Sequence, residues 1–248
     1  MGQQDVKQVL KKERTWLISN EIAKKAGYSL KSIQSSLRRL VKWGQIEKSP
    51  ASKVIEDKGR LKDRSFAGYA YRIKEFKTIS DQDFSNKRVL LLTDLSSIKT
   101  IKELYLQPNI KLAVLPHKNK DVFKYSDFLS SKLNKKVIFV GNIFSKETEF
   151  KLKSLKEDQI ILFNNIKSLK EEKKETKPKK HAKSDLVKAL SPYFDYFVND
   201  AFSLADKSYA ATVGFTYLLP SFIGRSFQKE IEMLDNLKQK PEITFILA

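Results

Sequence analysis

From residue 88 onward the chain alternates short apolar runs with stretches whose apolar residues recur at helical spacing, and few folds accommodate that rhythm. The runs fall at 89–94, 111–116, 136–140, 159–163, 196–199 and 243–247, each bounded by polar or turn-forming residues. Between them, 122–133, 146–155, 185–190 and 227–237 carry apolar residues on one side and polar residues on the other. Continuous apolar runs of this length suit strands buried on both faces, with intervening helices covering those faces. The pattern predicts an α/β domain built on a six-stranded parallel sheet over 87–248.

The first 77 residues differ in character. They hold 19 Lys/Arg against 8 Asp/Glu, a net of +11, within a chain whose formal net charge is +19 and whose pI is near 9.8. Such an excess calls for a polyanionic partner, and each lysine or arginine brought near a phosphate favours binding by releasing condensed counterions. No apolar run is long enough to span a bilayer and no signal-peptide core is visible, so a cytoplasmic, non-membrane protein is expected, nucleoid-associated in a prokaryote. With no cysteine and only His117 and His181, neither a disulfide frame nor a structural zinc site is expected, and no cofactor is assigned. Residues 78–86 are mostly polar without clear periodicity and read as a linker. A biased tract over 167–183, with eight lysines, three glutamates and one proline, reads as a mobile, solvated loop, with a second nucleic-acid contact as the alternative, and His181 within it as solvent-exposed.

Within residues 19–40, Ile22, Ala23 and Ala26 fit one helix, Gly27 a left-handed turn, and Leu30, Ile33, Leu37 and Leu40 the buried stripe of a second helix. Residues 6–10 supply a preceding helix, and 45–48 and 69–73 two strands joined by a long tip. This arrangement resembles the winged helix-turn-helix family over most of residues 5–77. The resemblance implies that the polar side of the second helix, with Lys31, Ser32, Gln34, Ser35, Arg38 and Arg39, faces a major groove. Gln and Arg are suited to base edges, and Ser and Lys to phosphates. In the tip, Lys53, Lys58, Arg60, Lys62 and Arg64 are candidates for backbone or minor-groove contact. A plain solvated face, or a protein-contact role, is the competing reading. Trp16 and Trp43 are candidates for a dimer contact, with packing inside the domain the commoner fate of tryptophan.

In the second part, the stretch from Tyr196 to Gly214 contains Val198-Asn199-Asp200-Ala201-Phe202 and Thr212-Val213-Gly214. This resembles the phosphoglycerate kinase family, whose pattern there reads approximately YVNDAFGTAHRAHASTVG. Further matches in the same order cover about residues 86–248, the family's phosphoglycerate-binding half. The resemblance implies a Rossmann-like α/β fold and a substrate cleft outside the strand ends, lined here by Asp94, His117, Lys120, Lys167 and Lys207. The chain departs from the family at most of the chemistry. VDFN becomes Thr93-Asp94-Leu95-Ser96, and the DTR loop has no counterpart. SHLGRP becomes Pro116-His117-Lys118-Asn119-Lys120. ENxRF becomes Asn164-Asn165-Ile166-Lys167-Ser168, and AHRAH becomes Ala205-Asp206-Lys207-Ser208-Tyr209. Lysine keeps the charge of the lost arginines but not the planar fork that grips a carboxylate or phosphate. The match also stops at Ala248, before the family's Gly-Gly-Ala-Lys segment, and no Gly-rich phosphate loop is present, so no catalytic residue and no self-contained kinase activity are expected.

The sequence therefore predicts an α/β chain with an N-terminal winged helix-turn-helix (α+β, 1–77) and a six-stranded parallel, Rossmann-like domain (87–248). Its expected role is non-catalytic duplex DNA binding, with the kinase-like domain mediating assembly or adding basic surface. Two alternatives stand: an RNA- or ribosome-associated factor, and a regulator that binds a phosphorylated anion in the former cleft. A protein partner or homodimer is compatible with each.

Overall fold

The computed structural model describes residues 3–42, 46–57, 61, 68–73, 77–117, 121–172 and 177–238. The chain divides into two compact units between Glu75 and Phe76.

In the first unit, α1 (Gln3–Glu13), β1 (Leu17–Ile18), α2 (Ser19–Ala26), α3 (Leu30–Lys42), β2 (Ile46–Pro50), α4 (Ala51–Val54) and β3 (Tyr69–Ile73) follow in order. Residues spaced three and four apart share a helix face, so Val6 and Leu10 of α1, Ile22 and Ala23 of α2, and Ile33, Leu37 and Leu40 of α3 meet in one core. Leu17, Ile46 and Ile73 close it from the sheet side. The sheet is antiparallel in the order β1-β3-β2, with Tyr71 of β3 opposite both Leu17 and Lys48. Gly27 ends α2 at φ +71, a left-handed conformation that a side chain would strain, and its N–H reaches the Ala23 carbonyl. One residue of the expected stripe departs from it. Leu30 is 40% exposed, because it opens α3 ahead of the turns that pack. The tip between the strands holds the short helix α4, whose Ala51 and Ile55 neighbour form a small second cluster with Leu61 and Ala70. Trp16 packs against that cluster beneath the Arg72 guanidinium, 4.8 Å from its ring, so it serves the interior of this unit. Trp43 and Gln45 lie outside the described residues.

The second unit carries β4 (Arg88–Thr93), α5 (Lys99–Tyr105), β5 (Lys111–Pro116), α6 (Val122–Leu133), β6 (Lys136–Val140), α7 (Lys146–Lys153), β7 (Gln159–Phe163), α8 (Pro178–His181), α9 (Asp185–Leu190), β8 (Tyr196–Asp200), β9 (Ser221–Ile223) and α10 (Arg225–Lys238). The strands form one parallel sheet in the order β6-β7-β5-β4-β8-β9. Alternate residues point to opposite faces. Val89, Leu91, Leu112, Val114, Ile160 and Val198 meet Ile101 and Leu104 of α5 and Val122 and Leu129 of α6. On the other face Leu90, Leu92, Leu115, Ile161 and Phe197 meet Leu152 of α7 and Leu186, Val187 and Leu190 of α9. No helix among the described residues is long and apolar enough to cross a membrane.

The described sheet includes a strand that the sequence did not announce, Ser221–Ile223, while the expected strand 243–247 lies outside the described residues. Two other expectations change. Residues 78–86 are part of the second unit rather than a linker. Thr78 bridges to Ile223, Ile79 is buried, and Phe84 is fully buried with edge-on contacts to Tyr196 and Phe222. Two apolar side chains among polar neighbours suffice to anchor such a segment without leaving a periodic trace. Finally, the described part of the lysine tract is folded: Ile166–Ser168 and Lys170–Glu172 form 3-10 turns, α8 follows, and His181 is 4% exposed, with its carbonyl beside Gly214.

Candidate functional site

The outer face of α3 is built by the same periodicity that builds the core. With Ile33, Leu37 and Leu40 turned inward, Lys31, Gln34, Ser35, Arg38 and Arg39 are exposed and Ser32 is half-buried. Ser29 precedes the helix, and its hydroxyl accepts the Ser32 N–H at 3.4 Å. Lys31, Arg38 and Arg39 make no ion pair among the described residues, whereas the strand cations are engaged. Arg72 holds Glu47 at 2.7 Å, and Lys48 lies 3.6 Å above the Tyr69 ring. The positive charge of Arg38 reaches the Tyr71 phenol and opposes burial, which pushes that phenol above its ordinary value. Lys53 is exposed on α4. Lys58, Arg60, Lys62 and Arg64 lie outside the described residues.

In the second unit the topology creates crevices at the carboxyl ends of the strands. The chain leaves β4 and β5 toward one face, through α5 and α6, but leaves β7 and β8 toward the other. The order of the sheet therefore puts a switch point between β4 and β8 and another between β5 and β7. Asp94 sits at the first. One carboxylate oxygen accepts the Ser96 N–H at 2.9 Å, and the other accepts the Ser203 hydroxyl at 2.8 Å. Leu95 beside it holds a left-handed φ of +57, a costly conformation for a branched residue, with its N–H bonded to the Thr93 hydroxyl. His117 sits at the second switch point and is 7% exposed. Its ring lies 6.0 Å from that of Tyr209 at an interplanar angle of 15°, and its Nε2 is 3.7 Å from a carboxylate oxygen of Glu172. The other Glu172 oxygen accepts the Ala211 N–H at 2.7 Å. Lys167 is exposed on the turn after β7. Lys207 is ion-paired to its neighbour Asp206 at 3.0 Å. Lys120 lies outside the described residues. The fold thus brings Asp94 and Lys167 within electrostatic reach of His117. The sequence did not single out Glu172, Ser203 or Tyr209; Glu172 was hidden in the lysine-rich tract that composition marks as solvated.

Burial pushes the His117 imidazole below its ordinary value, and the nearby Lys167 charge adds to the depression while Asp94 opposes it. The folded ring is therefore neutral at pH 7. As pH falls below the ordinary value of 6.5, the unfolded chain takes up a proton that the fold resists, so this contribution to stability, complete above that pH, is lost on acidification. Melting curves of the wild type and His117→Gln are expected to converge as pH drops from 7 to 5. A constant gap would place the histidine in a solvated setting.

The residues after β8 have structural work of their own. Asp200 is buried, and its carboxylate accepts the Phe227 N–H at 3.0 Å in the first turn of α10, while Thr100 accepts the Arg225 N–H at 2.9 Å. Both donors would otherwise be orphans, since the residue preceding the helix is Gly224. Burial raises the Asp200 carboxyl above its ordinary value, and hydrogen bonds from Thr100 and the Phe227 N–H work against that rise. Arg225 then clamps Glu103 of α5 with two contacts of 2.6 Å. Gly214 closes a π-turn, Ala210–Gly214, packed on α8 and α9.

A parallel sheet covered on both faces, with two switch points in its strand order, defines a doubly wound α/β fold. Residues 71–248 match the phosphoglycerate kinase family, and the chain belongs to that family. It is 34% identical over 187 residues to the phosphoglycerate kinase of Methanopyrus kandleri, covering 66% of this chain and 46% of that one. With the enzyme of Sulfolobus acidocaldarius it shares 35% identity over 199 residues, covering 69% and 48%. The crystal structure of phosphoglycerate kinase from Pyrococcus horikoshii OT3 superposes with a TM-score of 0.61 at 27% identity, over 67% of this chain and 47% of that one. The chain spans about half the length of these relatives.

Proposed function

We propose that this chain is a non-catalytic DNA-binding protein, in which the first unit acts as a winged helix and the phosphoglycerate kinase-like unit mediates assembly or adds basic surface. The observation that carries this reading is the outer face of α3, where Lys31, Gln34, Ser35, Arg38 and Arg39 stand exposed together in a chain of net charge +19. The element order α1-β1-α2-α3-β2-β3 and the antiparallel sheet β1-β3-β2 support this reading, in which α3 acts as the recognition helix and β2 and β3 as the wing. Arginine and glutamine on such a helix match the acceptors and donors of base edges, and serine and lysine match phosphates.

Lysines stand at motif positions where the family has arginines, and lysine lacks the bidentate fork that positions a phosphorylated carboxylate. The burial of His117 and the pairing of Lys207 with Asp206 weigh against a free anion site in the crevice, and so against a metabolite-responsive regulator. The test is a titration of duplex DNA, single-stranded DNA and structured RNA with the full chain and with Arg38→Ala/Arg39→Ala, at two salt concentrations. Duplex DNA is expected to bind best, with the double variant weakened roughly tenfold or more. Preference for RNA would reassign the protein to an RNA-associated role, and absence of binding would assign α3 to a protein contact.

A further inference from the structure

We infer that the second unit carries a nucleic-acid contact of its own: the lysines on and around α8 form a surface that binds the phosphate backbone. This deepens the nucleic-acid reading above and rests on it. Residues 167–188 contain nine lysines and four acidic residues, and the fold changes what that ratio means at the surface. Glu172 is turned inward, 3% exposed, with its carboxylate on the Ala211 N–H. Lys170, Lys179, Lys180, Lys183 and Lys188 are all exposed, and among the described residues none has a carboxylate within ion-pairing distance.

Elsewhere on this unit several surface lysines are neutralised. Lys124 pairs with Asp121, Lys151 with Glu147, Lys153 with Glu149 and Lys111 with Glu157. The backbone that presents these lysines is also held in place. His181 is buried, its carbonyl accepts the Ser184 N–H at 3.0 Å, and Ser184 in turn caps α9. Lys180 donates its N–H to the Lys177 carbonyl, and Lys183 donates its own to that of Lys180. Cations on a fixed backbone lose less conformational freedom on meeting phosphates than cations on a loose tail. The ligand chemistry is a run of phosphodiesters, met by ammonium groups that act as point charges without base readout.

The experiment is the salt dependence of duplex DNA affinity for the full chain, for Lys179→Gln/Lys180→Gln/Lys183→Gln, and for the control Lys124→Gln/Lys151→Gln/Lys153→Gln. The control removes the same net charge from lysines that are already paired. The slope of log affinity against log salt falls by about 0.9 for every phosphate that is no longer neutralised. The α8 triple variant is therefore expected to flatten it by about 2–3, while the control leaves it near the wild-type value. Equal slopes for the two triples, with wild-type binding intact and sensitive to Arg38→Ala/Arg39→Ala, overturn this inference alone. A wild-type chain that binds no duplex overturns it together with the reading beneath it.

Discussion

Asp200→Ala is expected to destabilise the second unit by about 1–3 kcal/mol, the penalty for leaving a buried donor unsatisfied. The carboxylate reaches from the end of β8 to the first turn of α10, and the first residues of that helix have no side-chain cap of their own because Gly224 precedes it. Gly224 cannot be changed to supply one: a Cβ there would lie 2.5 Å from the Asp200 carboxylate. Asp200→Asn retains an acceptor for the Phe227 N–H and removes a carboxyl that burial disfavours in its charged form, so it should cost less than alanine. The unfolding midpoint of the second unit is the measurement, at about 2–4 °C per kcal/mol for a unit of this size. Equal midpoints for the alanine and asparagine variants would refute the capping role.

Gly214→Ala is expected to cost a similar amount, about 1–3 kcal/mol, by overpacking. The added Cβ would stand 2.6 Å from a Val187 methyl group and 2.9 Å from the His181 carbonyl oxygen. The methyl group has some freedom, but the carbonyl is held by the Ser184 N–H at 3.0 Å. Combining Gly214→Ala with Val187→Ala should therefore recover part of the loss and no more. Contacting sites are where additivity fails, and full recovery would mean that α8 shifts freely. Together the two variants give a physical reason for the Asn-Asp-Ala-Phe and Thr-Val-Gly segments in this chain: one caps a helix and the other lets two helices approach a π-turn.

Much of the architecture was legible in the sequence because burial on both faces of a parallel sheet demands unbroken apolar runs. The strands beginning near Arg88, Lys111, Lys136, Gln159 and Tyr196 announce themselves in this way, as do α6 and α9 through their helical spacing. The strand Ser221–Ile223 did not, since three residues after a proline form no run. The helix Lys99–Tyr105 was likewise missed, being two turns long with lysines at its first and fourth positions. Phe84 and His181 show the limit of composition as a guide: each is a buried anchor in a segment whose other residues are mostly polar or charged. At the candidate site, Asp94 and His117 were found through family resemblance rather than chemistry. Their actual neighbours, Ser203, Tyr209 and Glu172, are brought up by connections too long for spacing to reveal. The α3 face was legible directly, since the residues left over from a buried helical stripe are its exposed side.

The bridge between Thr78 and Ile223, reinforced by the Ile223 N–H on the Lys77 carbonyl at 2.8 Å, also sets an order of events during synthesis. The described core of the first unit lies between Val6 and Ile73, ahead of every strand of the second unit in the chain. The second unit has to wait until residue 223 has emerged before the segment at its own beginning finds a strand to lie against, and closures over such a span are slow. During that interval the nascent chain already displays a folded, cationic α3 while its parallel sheet is still open at one edge. Translation thus produces the unit that bears the exposed α3 cations before it produces the sheet attached to it.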